Sequence, residues 1–137
     1  MRRPLLAAAL AAALASLALA CPRRDPPPES AYRAFVRAAA EHDAEGAWAL
    51  LSADTQAWLE ARARNAAAAA PGAVPATARQ FLLGDAALAV RPLASTLLLR
   101  ESADRAVVEV TVQGGEKQQV ELVREGGGWK VRIPEAP

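Results

Sequence analysis

The chain is poor in the residues that usually announce chemistry. It has one cysteine, one histidine and one tyrosine in 137 residues. A lone thiol excludes an internal disulfide, so stability must come from packing. One histidine and one cysteine cannot supply the four nitrogen or sulfur ligands of a usual zinc site, so neither metal nor other cofactor is expected. Only two lysines stand beside 14 arginines, and the formal net charge is +1. No basic stripe is present, which argues against nucleic acid. Gly126-Gly127-Gly128 is followed by neither Lys-Ser/Thr nor a helix, which excludes a phosphate loop. The longest apolar run, Leu5 to Leu19, spans 15 residues. A lasting transmembrane helix needs about 20.

That run has the form of a cleaved leader. Arg2 and Arg3 precede it, and the small residue Ala20 closes it before Cys21. Leu17-Ala18-Leu19-Ala20-Cys21 resembles the lipobox of bacterial lipoproteins. The resemblance implies export, cleavage before Cys21 and acylation of its thiol. Ala18-Leu19-Ala20 also fits the A-x-A site of an ordinary signal peptidase, which would leave Cys21 as a free thiol. Acylation removes that problem and is the preferred reading. One acyl chain holds weakly and two or more hold stably. Residues 1–20 are thus expected to be the signal peptide, and residues 21–29 the lipidated cysteine and a proline-rich tether. Residues 30–134 are the folded domain, and 135–137 a tail. Without the leader the basic count falls from 16 to 14 against 15 acidic residues, and the charge moves from +1 to −1.

The tether, Pro22 to Glu29, is expected to stay extended over ~25 Å at ~3.1 Å per residue. Ser30 offers a helix N-cap. Tyr32, Phe35, Val36, Ala39 and Ala40 then recur at helical spacing. His42-Asp43 breaks that helix, and Asp43 caps a second with Trp48 and Leu51. Ser52 or Asp54 caps a third, with Trp58 and Leu59 inward, and Pro71-Gly72 ends it. A further helical segment from Val74-Pro75 carries Phe81, Leu82 and Leu83 to Gly84.

After Pro92 the apolar period changes from about 3.6 to 2. Leu97 and Leu99 alternate, then Val108, Val110 and Val112, then Val120 and Leu122, then Trp129, Val131 and Ile133. This predicts a four-stranded antiparallel meander with one buried face. A three-residue loop, Gly114 to Glu116, pairs Val110 with Val120, and a five-residue loop keeps the same parity. A turn on Gly126-Gly127 pairs Leu122 with Val131 and Arg124 with Trp129. The latter pair suits a cation–π contact of ~0.5–1 kcal/mol. A loop from Glu101 to Asp104 pairs Leu97 with Val108. The fold class is therefore α+β, with N-terminal helices packed on a curved sheet as a cone-like roll.

The charged turn Glu41-His42-Asp43, the segment Trp48-Ala49-Leu50-Leu51-Ser52 and the closing Gly127-Gly128-Trp129-Lys130-Val131 resemble the nuclear transport factor 2-like superfamily. Ketosteroid isomerase, scytalone dehydratase and the SnoaL-like cyclases belong to it, as do many small bacterial lipoproteins. The resemblance implies an apolar pocket between helices and sheet. Tyr32, Phe35, Trp48, Trp58, Phe81, Val110, Val120 and Val131 are the expected lining. In the enzymes of that superfamily an acid or base works inside the pocket. Here Tyr32 and His42 lie ~15 Å apart along a helix, and no acid lies on an inward strand position, so no catalytic residue is named. The expected function is a membrane-tethered module of the bacterial cell envelope. It would bind a small apolar ligand or an envelope protein, hold membrane lipid through acylated Cys21, and act as a monomer. The alternative is an isomerase- or dehydratase-like enzyme with Tyr32 as hydrogen-bond donor.

Overall fold

A computed structural model describes residues 25–73, 77–80 and 91–134. Cys21 and Phe81 lie outside the described residues. The first helix, α1, runs Pro28–Ala40 and starts two residues before Ser30. Pro27 takes the N-cap position in extended geometry, and its carbonyl accepts from Ser30 N at 2.9 Å. Proline suits the first helical position because the amide it lacks would have no helical partner. Pro28 is fully buried, so the end of the proline run is core rather than tether, which corrects the expected boundary at residue 30. The buried stripe of α1 is Pro28, Ala31, Tyr32, Phe35 and Ala38. It is rotated slightly from the expected one, and Ala40 is exposed.

The charged turn ends α1 with a Schellman motif. His42 N donates to Ala39 O at 3.2 Å and Asp43 N to Ala38 O at 2.8 Å. His42 carries the left-handed φ of 57° that this motif needs. Asp43 then caps α2, Ala44–Ala49, accepting from Gly46 N at 2.9 Å. Ser52 caps α3, Ala53–Ala69, which is longer than its buried face of Thr55, Leu59 and Ala63. Trp58 sits half-buried at the side of that face, with the Arg62 guanidinium 5.4 Å from its ring centre.

Four strands follow in the order β1-β2-β3-β4: β1 Leu93–Glu101, β2 Arg105–Val112, β3 Lys117–Glu125 and β4 Gly128–Arg132. All neighbouring pairs are antiparallel. The architecture is α+β, with helices before a four-stranded meander, as the sequence predicts. Ala106, Val108, Val110 and Val112 alternate into the core from β2, and Leu122, Trp129 and Val131 join them. Trp129 is 3% exposed.

Three registers were predicted. The β3–β4 register is as expected: Leu122 faces Val131 and Arg124 faces Trp129. Gly126 and Gly127 both adopt positive φ, at 60° and 80°, as a two-residue hairpin turn of this kind requires. The β2–β3 register keeps the expected parity but lies two residues away. Val108 faces Val120, Ala106 faces Leu122 and Val110 faces Gln118. Thr111 and Lys117 form the last pair, and Val112 N donates to Glu116 O across the loop.

The third expectation, for β1, is overturned. Leu98, not Leu97, faces Val108, and irregularities interrupt the ladder between Leu93 and Ser95 and between Leu98 and Arg100. Each bulge inserts a residue and reverses the parity beyond it. Leu98 packs on the core, while Leu97 is 59% and Leu99 39% exposed.

The helices are stitched to β4 as well as packed on the sheet. Leu51 forms a parallel bridge with Val131. Val131 N donates to Leu50 O at 2.8 Å, and Ser52 N donates to Val131 O at 2.9 Å. The linker between α2 and α3 thus extends the sheet past β4.

Candidate functional site

The sheet ends differ in how the helices cover them. At the end carrying the Ser102–Asp104 and Gly126–Gly127 turns, Arg124 closes the structure over Trp129. At the opposite end, where β1 starts and β2 turns into β3, α1 and the sheet leave a cleft of about 420 Å³. Tyr32, Phe35 and Val36 form one wall from α1. Leu93, Val112, Val120, Val131 and Ile133 form the apolar floor and far wall. Arg91, Glu116, Gln118 and Gln119 make the mouth, and all four are exposed.

The buried polar group of the cleft is the Tyr32 hydroxyl, which meets Gln118 at the mouth. Tyr32 is 8% exposed and tilts against Phe35, ring centres 6.3 Å apart. Burial raises its hydroxyl above the usual tyrosine range, because removal from water disfavours the phenolate. A side-chain hydrogen bond with Gln118 pulls in the opposite direction and is the smaller effect. The charges at the mouth are paired. Arg91 bonds Glu116, and Arg132 reaches Glu121 at 3.6 Å. Glu121 also holds Arg105 at 3.2 Å on the outer face. A second depression lies beyond the β4 end, lined by Thr55, Trp58 and Ala57 and sharing Arg132, Ile133 and Pro134 with the cleft.

The eight residues expected to line a pocket separate into four groups. Tyr32, Phe35, Val120 and Val131 meet in the cleft. Val110 is fully buried beneath it, and Trp48 is core, with the Arg79 guanidinium 5.3 Å from its ring centre. Trp58 lines the neighbouring depression. Phe81, like the lipidation candidate Cys21, lies outside the described residues.

Sequence reasoning missed Gln118. Its signal was present: counting back by two from Leu122 and Val120 reaches it. Apolar alternation does not single it out, because its side chain is polar. His42 stands in the exposed helix-ending turn. Among the described residues no group of three or more His, Cys, Asp and Glu side chains could hold a metal ion. Among them, too, no helix is long and apolar enough to cross a membrane. Searches for relatives return nothing: no family model, no curated protein and no solved structure matches the chain.

Proposed function

We propose that the chain is a lipid-anchored binding module of the bacterial cell envelope, built on a nuclear transport factor 2-like domain, whose cleft takes a small amphipathic ligand. The cleft carries this reading. Its walls are apolar, and the buried Tyr32 hydroxyl, bonded to Gln118 at the mouth, gives it a polar anchor. Ligand sites commonly combine such walls with few polar anchors. The volume of about 420 Å³ suits a compact organic molecule. The cations at the mouth already have carboxylate partners, so an uncharged ligand displaces no ion pair. The leader and Cys21 supply the anchor.

One observation favours the enzyme alternative. Glu116 lines the same cleft as Tyr32. It sits at an exposed mouth and is occupied by Arg91, so the arrangement gives the carboxylate a structural partner before any substrate arrives.

The uncharged fluorophore N-phenyl-1-naphthylamine tests the cleft. Saturable binding of one probe per chain is expected. Val120→Trp, which fills the floor, should abolish it, while Val123→Trp on the opposite face of β3 should not. Absence of saturable binding, or equal binding by both variants, would overturn the reading. The anchor is tested by intact mass of the protein from the membrane fraction. Acyl groups on Cys21 are expected, and an unmodified mature mass removes the anchor.

A further inference from the structure

Arg124 gathers the chain start to one end of the sheet. Its Nη1 lies 2.8 Å from Asp25 Oδ2, its Nη2 lies 4.0 Å from Glu101 Oε1, and its guanidinium carbon is 4.5 Å from the Trp129 ring centre. Its own amide donates to Asp104 O at 2.8 Å. A surface ion pair alone holds weakly. Here it does not act alone. Pro26 and Pro27 restrict the backbone beside Asp25, and Pro28 is fully buried at the start of α1. Asp25 is therefore held both by its ion pair and by the restricted backbone that leads into α1.

We infer that the Asp25–Arg124 latch sets the posture of the domain on the bilayer, with the Ser102–Asp104 and Gly126–Gly127 turns facing the lipid headgroups and the cleft mouth facing away. The inference rests on the lipid-anchor reading of Cys21. Cys21 and Asp25 are four positions apart, a reach of at most about 14 Å. The strands between the two ends of the sheet are 8 or 9 residues long in β1 to β3, which is about 27–30 Å. The remaining leash is thus about half the length of the sheet. It is too short for the Arg91–Glu116 mouth to face the membrane end-on while the latch holds.

The chemistry of the membrane-facing end agrees with contact at headgroup level. The two turns carry Ser102, Ala103, Asp104, Gly126 and Gly127, with no aromatic or long aliphatic side chain to enter hydrocarbon. The end rests on the surface and does not insert. The cleft is left open to solutes or to an envelope partner approaching from the aqueous side.

The test uses protein purified from the membrane fraction and placed in lipid nanodiscs containing gadolinium-chelating headgroups. Amide signals are read for Ala103 and Gly127 at one end and Gly115 at the other, and the mass of the same sample is recorded. Severalfold stronger broadening at Ala103 and Gly127 than at Gly115 is expected, and Asp25→Ala should erase most of that difference. An acylated sample with equal broadening at both ends, or stronger broadening at Gly115, overturns the posture while leaving the anchor intact. An acylated Asp25→Ala protein that keeps the full difference overturns the latch. A mass without acyl groups overturns the anchor and the posture together.

Discussion

Two single residues carry more than their local geometry. Gly46 is the third residue after the Asp43 cap, in the first turn of α2. A β-carbon there would lie 2.2 Å from Asp43 Oδ2, so any larger residue pushes the capping carboxylate away. Gly46→Ala is expected to lose the gain normally made by replacing helical glycine and to cost about 1 kcal/mol, much as Asp43→Ala would. Urea denaturation of both variants and the double variant checks this. The double variant should cost little more than either alone, because one cap is lost only once. Tyr32 makes a pH-dependent contribution. Its folded-state pKa is raised, so the unfolded chain ionises first, near pH 10. Above that pH the unfolded state binds fewer protons than the native state, and stability falls. The contribution is full below pH 10 and is lost as pH rises through the folded value. Unfolding free energies measured from pH 8 to 12 should fall less steeply for Tyr32→Phe than for the parent.

At the scale of elements, β1 shows how bulges override alternation. The run Leu97-Leu98-Leu99 has no parity of its own, since any one of the three could face the core. One bulge before the run and one at Leu99 select Leu98. Leu98→Ala is therefore expected to cost about 1–2 kcal/mol for its partly buried side chain. Leu97→Ser should stay within about 0.5 kcal/mol, as exposed substitutions usually do. Thermal melts of the two variants compare them directly, and a larger loss from Leu97→Ser would contradict the observed register. The β2–β3 pair teaches a related lesson. Hydrophobic alternation forbids a slip of one residue but is blind to a slip of two. The slip matters here because it sets Gln118 opposite Val110 and beside Tyr32, which gives the buried hydroxyl a partner at the cleft mouth.

The whole molecule depends on a buried polar seam between its layers. Ser52 and Thr55 are 0% and 1% exposed. Ser52 Oγ donates to Thr55 Oγ1 at 2.9 Å, and the same Thr55 oxygen accepts from Ile133 N at 3.0 Å. One helix cap therefore also holds the chain just past β4, where Ile133 lines the cleft. Thr55→Val removes the shared acceptor and leaves the buried Ser52 hydroxyl and the part-buried Ile133 amide without it, at a cost of about 1–3 kcal/mol. Thr55→Ser should retain most of the stability. Denaturant midpoints check the pair, and binding of N-phenyl-1-naphthylamine should weaken in Thr55→Val as the Ile133 wall loosens.

The sequence by itself determined the order of helices and strands, the buried face of β2 to β4, the Asp43 cap and the Arg124–Trp129 pairing, and it narrowed the α3 cap to Ser52 or Asp54. Each of these follows from side-chain period or short-range hydrogen bonding, which a few neighbouring residues specify. The tertiary structure alone decided which leucine of β1 turns inward, how far β3 slides along β2, and that Leu51 bridges Val131. It also made Pro28 core and joined Asp25 to Arg124 across 99 positions of sequence. These choices compare whole arrangements that satisfy the same local pattern. What separates them is the close packing of α1 on the sheet and the pairing of buried polar groups, neither of which exists until both layers meet.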